Sequence, residues 1–213
     1  GECSAAFLGE LASRGVSVGK CHSGHSGGVT AVTIATLATA PEAPELRPAG
    51  GSLYISRPIG ASKLQYLGEM GIDVPSGAAS ALLEAPPDPR FHGLGWSMVT
   101  DVSGHGLLGA AAQLAAIHCL EIVLELSVAH ALSPDVLAVP VECLQNPVSS
   151  YGAAPIEGDD RAVALATLRE TAGPFLGLLE DGAHPFSDND RPPYLAIGRY
   201  RHGNPGVILK WAE

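Results

Sequence analysis

The chain has 213 residues and carries 22 acidic against 12 basic side chains, a formal net charge of −10. That balance, without a basic run, leaves no electrostatic footprint for nucleic acid, and it repels anionic lipid surfaces. No uncharged apolar run is long enough to span a membrane and nothing reads as a signal peptide. The four cysteines form no Cys-x-x-Cys pair, which argues against a structural zinc site and for reduced thiols in the cytoplasm.

Taken in chain order, Ala5–Ala12 places apolar residues at helical spacing, so a helix is predicted to end near Ser13–Gly15. Val16–Val18 reads as a short strand, His22–Gly28 as a Gly/Ser-rich loop and the β-branched run Val29–Thr39 as a long strand. Residues 41–50 hold three prolines and read as a linker, which divides the chain into 1–40, 41–50 and 51–213. Ser52–Ser56 is a strand, and Ser62–Met70 a helix with Ser62 as its N-cap. Gly77–Ala85 is a short helix and Pro86–Gly95 a loop. Met98–Val102 is a strand, Leu107–His118 a strongly apolar helix and Leu120–Leu126 a strand by alternation. Ser133–Ala138 is a short helix or turn. Asp159–Ala172 is a helix opened by Asp159 or Asp160. Tyr194–Tyr200 and Val207–Trp211 read as a closing hairpin around His202–Gly206. Alternating strands and helices predict an α/β fold, a mixed sheet with helices packed on it.

The stretch from Trp96 to Ala110 carries the chemistry. A strand ends in an acid, Asp101, and a turn containing Gly104 and Gly106 leads into a helix. A carboxylate there is a hard oxygen ligand suited to Mg²⁺. A helix start offers N–H groups to an anion. The same residues also suit a simpler reading, in which Asp101 caps the helix and the glycines make the turn. Cys21, His22 and His25 lie close enough in sequence to hold a soft metal, although two histidines in a Gly/Ser loop are a weak signal. Arg57 and Lys63 flank a Pro-Ile-Gly turn; Arg57 could contact a phosphate, but the surface reading is favoured.

Three segments carry a family resemblance. Thr100-Asp101-Val102-Ser103-Gly104-His105-Gly106-Leu107-Leu108-Gly109 resembles the Thr-Asp-Val-Thr-Gly-Phe-Gly-Leu-Leu-Gly segment of selenophosphate synthases. Leu53–Ser62 is similar to that family's strand followed by Thr-Lys-Pro-Leu-Gly-Thr-Gly. Gly15–Ser23 is similar to its Gly-Gly-His-Ser/Thr. In order and spacing the three cover residues 5–115. The wider group is the aminoimidazole ribonucleotide synthase superfamily, which includes thiamine-monophosphate kinase and the hydrogenase-maturation dehydratase.

The resemblance implies that residues 51–213 form that superfamily's C-terminal domain and that residues 1–40 are the end of its ATP-binding and dimerisation domain. It implies ATP and Mg²⁺ as cofactors, with Asp101 as a metal ligand. Gly104, Gly106, His22 and Ser23 then lie on the nucleotide. Selenide is the implied nucleophile, and a homodimer forms through Val29–Thr39. Lys20 and Cys21 depart from the pattern by replacing glycines, and His105 by replacing an aromatic. The family's catalytic Cys and Lys belong to a segment that precedes the residues matched here. Its Asp-Pro-Gln-Thr-Ser-Gly-Gly-Leu motif has a degraded counterpart in Asn146-Pro147-Val148-Ser149-Ser150-Tyr151-Gly152-Ala153. A neutral Asn cannot offset phosphate or metal charge as a carboxylate can. Two functions follow. One is part of an ATP-dependent phosphoryl-transfer unit. The other is a divergent, non-catalytic dimerisation or partner-binding domain of the same fold. The motif of thiamine-monophosphate kinase places a second acid where this chain has Gly104.

Overall fold

Leu120–Leu126 buries every second residue, and in the computed structural model it is an interior strand of a seven-stranded sheet. The structure describes residues 23–26, 29–32, 50–73, 96–138, 155–170, 173–182 and 194–213. The chain divides into two compact units, Gly1–Pro44 and Glu45–Glu213. In the first, β1 (Ser23–Ser26) pairs antiparallel with β2 (Val29–Val32), from Ser23 opposite Val32 to Ser26 opposite Val29. The segment expected as a loop is therefore partly a strand. The sequence between the two is Gly27-Gly28, a pair that two-residue hairpin connections favour. The expected N-terminal helix, the strand Val16–Val18 and the continuation of β2 lie outside the described residues.

The second unit runs β3 (Gly50–Ile55), α1 (Ala61–Glu69), β4 (Met98–Asp101), α2 (Gly106–His118), β5 (Leu120–Leu126), α3 (Asp135–Ala138), β6 (Ile156–Gly158), α4 (Asp160–Ala166), β7 (Phe175–Glu180), β8 (Leu195–His202) and β9 (Gly206–Trp211). A 3₁₀ turn at Val128–His130 joins β5 to α3. The strand order is β4-β7-β3-β8-β5-β9-β6. The ladders from β4 to β5 are antiparallel, and β9 runs parallel to both β5 and β6. This is the expected mixed sheet with helices.

One face of the sheet is the core. Leu120, Ile122, Leu124 and Leu126 are fully buried, whereas the alternate residues Glu121, Val123 and Glu125 face partly to solvent. Leu53, Ile55, Leu178 and Val207 extend the buried layer. Above it sit Leu107, Leu108, Ala111 and Ala115 of α2 and Ala162, Leu165 and Ala166 of α4. The alanines let the helix backbones approach the sheet closely, which suits a chain poor in aromatics. No helix among the described residues is long and apolar enough to cross a membrane.

Several elements differ from the sequence reading. β8 and β9 are not a hairpin, because β5 lies between them and bonds both. The connection passes over the start of β5, where Gly203 N–H donates to the Cys119 carbonyl at 2.9 Å. Strands β6 and β7 were not foreseen. Helix α4 opens on Asp159, whose carboxylate accepts from Arg161 N–H at 2.8 Å, but it stops at Ala166 rather than Ala172. Thr167 turns its hydroxyl back onto the Val163 carbonyl at 2.8 Å, and the chain leaves the helix there. Helix α1 starts after Gly60, at φ 115°, so Ser62 is not its N-cap. The segments read as the helix Gly77–Ala85 and the loop Pro86–Gly95 lie outside the described residues.

Tyr200 of β8 is 3% exposed, and burial pushes its phenol up from 10.0 to about 12. The folded chain therefore keeps this proton where the unfolded chain loses it. Stability should fall as pH rises between 10 and 12. Urea unfolding across that window is expected to show a steeper loss for the wild type than for Tyr200→Phe.

Candidate functional site

Among the described residues strand β4 lies at one edge of the sheet and pairs with β7 on its other side, Asp101 opposite Phe175. The C-terminal ends of β3 and β4 and the start of β7 therefore share one end of the sheet, since Ile55 faces Leu176 in the neighbouring ladder. Loops from all three strands meet there.

The β4–α2 loop separates an outer from an inner set of residues. Val102 is buried and donates its N–H to the Pro174 carbonyl at 2.8 Å. The Ser103 carbonyl accepts from Gly106 N–H at 2.8 Å and from Glu170 N–H at 3.1 Å. Asp101, Gly104 and His105 are exposed, while residues 106–110 are buried. The face presented to solvent is thus a carboxylate, a glycine and an imidazole.

The two glycines expected on the nucleotide have different roles in the structure. Gly106 sits at φ 68°, and a Cβ there would lie 2.6 Å from the Leu168 carbonyl and 2.8 Å from that of Ala166. Its N–H is already bonded to Ser103. The absence of a side chain at Gly106 is thus required by packing. A Cβ at Gly104 would meet nothing within 4 Å, so backbone near a ligand could be approached there. The N-cap of α2 is His105, which makes no side-chain capping bond.

Next to this loop lies a buried carboxylate that the sequence reading placed inside a helix. Glu170 is 3% exposed. Its Oε1 accepts from Gly60 N–H and its Oε2 from Ser62 N–H, the latter at 3.3 Å, so it caps the start of α1 from outside that helix. Burial raises its pKa, and the bonds from Gly60 and Ser62 and the charge of Arg57 oppose the shift. Arg57 and Lys63 are not the surface residues expected. Arg57 is half-buried and donates to the Gly173 carbonyl at 3.1 Å, with its pKa lowered by burial against the opposing pull of Glu170. Lys63 is 2% exposed and donates to the Val136 carbonyl, and burial lowers its pKa. The helical spacing of residues 159–172 concealed Glu170, and Gly173-Pro174 was the available sign that the helix had ended.

Ser23 lies on β1 of the first unit, while His22, Cys21 and Asn146–Ala153 lie outside the described residues. Among the described residues no group of three or more His, Cys, Asp or Glu side chains is gathered to hold a metal. Asp101 offers a single carboxylate. That donor set fits Mg²⁺, which is commonly held by one or two carboxylates together with substrate phosphates and waters.

No family model matches the sequence, and no curated protein matches it. Among solved structures, the hydrogenase maturation protein HypE matches with a TM-score of 0.50 and 15% identity over 86% of this chain and 56% of its own. Thiamine monophosphate kinase from Aquifex aeolicus matches at 0.48 and 17% identity over 78% of this chain and 51% of its own. The enzyme from Stenotrophomonas maltophilia K279a also matches at 0.48 and 17%, over 78% and 52%. The chain spans about half the length of these proteins. The likeness to HypE shows a shared fold, the mixed sheet with helices packed on it.

The contrast between the two glycines is testable. Gly106→Ala should cost about 2–4 kcal/mol through left-handed strain and overpacking. Gly104→Ala should stay within about 0.5 kcal/mol. Chemical denaturation of both variants checks this.

Proposed function

We propose that this chain contributes part of an ATP-dependent phosphoryl-transfer site in which Asp101 is a Mg²⁺ ligand. The observation that carries the reading is the position of Asp101: exposed, at the end of β4, beside the exposed Gly104 and His105. Mg²⁺ bound there would neutralise charge on the phosphates of ATP. The chain's own part is to hold the carboxylate at the strand end and to leave backbone room at Gly104 for the nucleotide. The shared fold supports the general class of reaction, and the Gly-His-Gly-Leu-Leu-Gly sequence favours selenide as the nucleophile. His22 and Ser23 are proposed as nucleotide-binding residues, and Val29–Thr39 as a strand of a homodimer interface. The chain spans about half the length of HypE, and it is proposed to be one part of the catalytic unit.

A second reading has its own support. The N-terminus of α2 is buried and Gly106 N–H is committed within the loop, so the helix start offers an anion little access. A non-catalytic domain that dimerises or binds a partner would have the same features.

Calorimetric titration with Mg²⁺ and a non-hydrolysable ATP analogue separates the two. Phosphoryl transfer predicts Mg²⁺-dependent binding that weakens at least about tenfold in Asp101→Asn, about 1.4 kcal/mol. Equal binding by both proteins, or none by either, would favour the non-catalytic domain.

A further inference from the structure

Glu170 has two sets of contacts, and they point to different loops. Its carboxylate holds Gly60 and Ser62 at the start of α1. Its backbone N–H donates to the carbonyl of Ser103, two residues beyond Asp101. The segment that follows repeats the arrangement. Pro174 accepts from Val102 N–H. The Gly173 carbonyl accepts from Arg57, and its Cα packs against the Val102 carbonyl so tightly that a side chain would collide with it. Between them, Glu170, Gly173 and Pro174 therefore contact both the Asp101 loop and the β3–α1 loop.

We infer that Glu170 is a positioning residue for Asp101, fixing the β4–α2 loop through Ser103 while its buried carboxylate is tied to α1. The inference rests on the reading of Asp101 as a metal ligand and adds to it a residue that does not touch the ligand. Its physical basis is the mismatch between the two loops. The end of β4 is an edge with one neighbouring strand among the described residues, so the sheet constrains Asp101 from one side. The start of α1 is held by a buried, charge-assisted set of bonds, which are stronger than neutral ones. Through Glu170 the firmer element lends its position to the looser one. Losing the carboxylate frees residue 170 from α1, and the Ser103 bond then has no fixed donor.

Amide hydrogen exchange on the full chain tests this without a ligand. Glu170→Gln keeps the shape but replaces one acceptor oxygen with a donor. Ser62→Ala is a milder second variant that removes the hydroxyl bonded to Glu170. The expected result is exchange at the Val102 and Gly106 amides at least about tenfold faster in Glu170→Gln, and about threefold faster in Ser62→Ala. Mn²⁺ affinity in the presence of ATP should fall in the same order. Faster exchange confined to residues 60–64, with the 102–106 amides unchanged in both variants, would overturn the inference and leave Glu170 as a helix cap alone. The Asp101 reading fails on a different observation, equal Mn²⁺–ATP binding by wild type and Asp101→Asn, so the two failures are distinguishable.

Discussion

A carboxylate withdrawn from water must be met by donors or it destabilises the fold. Glu170 finds its donors 108 and 110 residues earlier in the chain, at the N-terminus of α1. The first turn of a helix is a fitting place, because its N–H groups lack intrahelical partners and the helix dipole favours negative charge there. Gly60, as a left-handed N-cap, has no side chain to do the same work. The buried acid and the uncapped helix thus satisfy one another. The end of the sheet that carries Asp101 is assembled around that exchange.

The sheet supplies the rest of the frame. The inward residues of β5 bury one face under α2 and α4, and α2 leaves the loop that begins at Asp101. Ile59 adds a further tie. Its N–H donates to His130 at 2.9 Å, and its carbonyl accepts from Leu132 N–H at 2.8 Å. The β3–α1 loop is consequently anchored to the segment after β5 as well as to Glu170. Asp101, Gly104 and His105 remain exposed at this end of the sheet. A metal-bound phosphate needs such a setting, in which the carboxylate is held while the approach stays open.

Much of this could be read from the residues. The strand ending at Asp101 and helix α2 announced themselves through a short apolar run, a glycine turn and a long apolar stretch. β5 was legible because one of its faces is polar, which preserves the alternation. The pairing of β8 with β9 was misread for a general reason. Consecutive strands are usually neighbours, and nothing local signals that β5 will enter between them. Strand β7 is buried along most of its length and shows no alternation over Leu176–Leu179. Gly106 and Gly104 look alike in sequence, yet a close carbonyl decides the conformation of one and nothing constrains the space around the other. Glu170, Arg57 and Lys63 were unreadable because their partners are distant in the chain. Only the folded arrangement shows that these charged residues are drawn inward.

Asp101 is the proposed place where metal and phosphate meet the chain. Paramagnetic broadening of the backbone amide resonances by Mn²⁺–ATP examines that directly. The account predicts broadening centred on residues 100–105, fading along α2 and absent from the far end of β5. Broadening centred elsewhere in the chain, or none at nucleotide concentrations that saturate a working phosphoryl-transfer site, would contradict it.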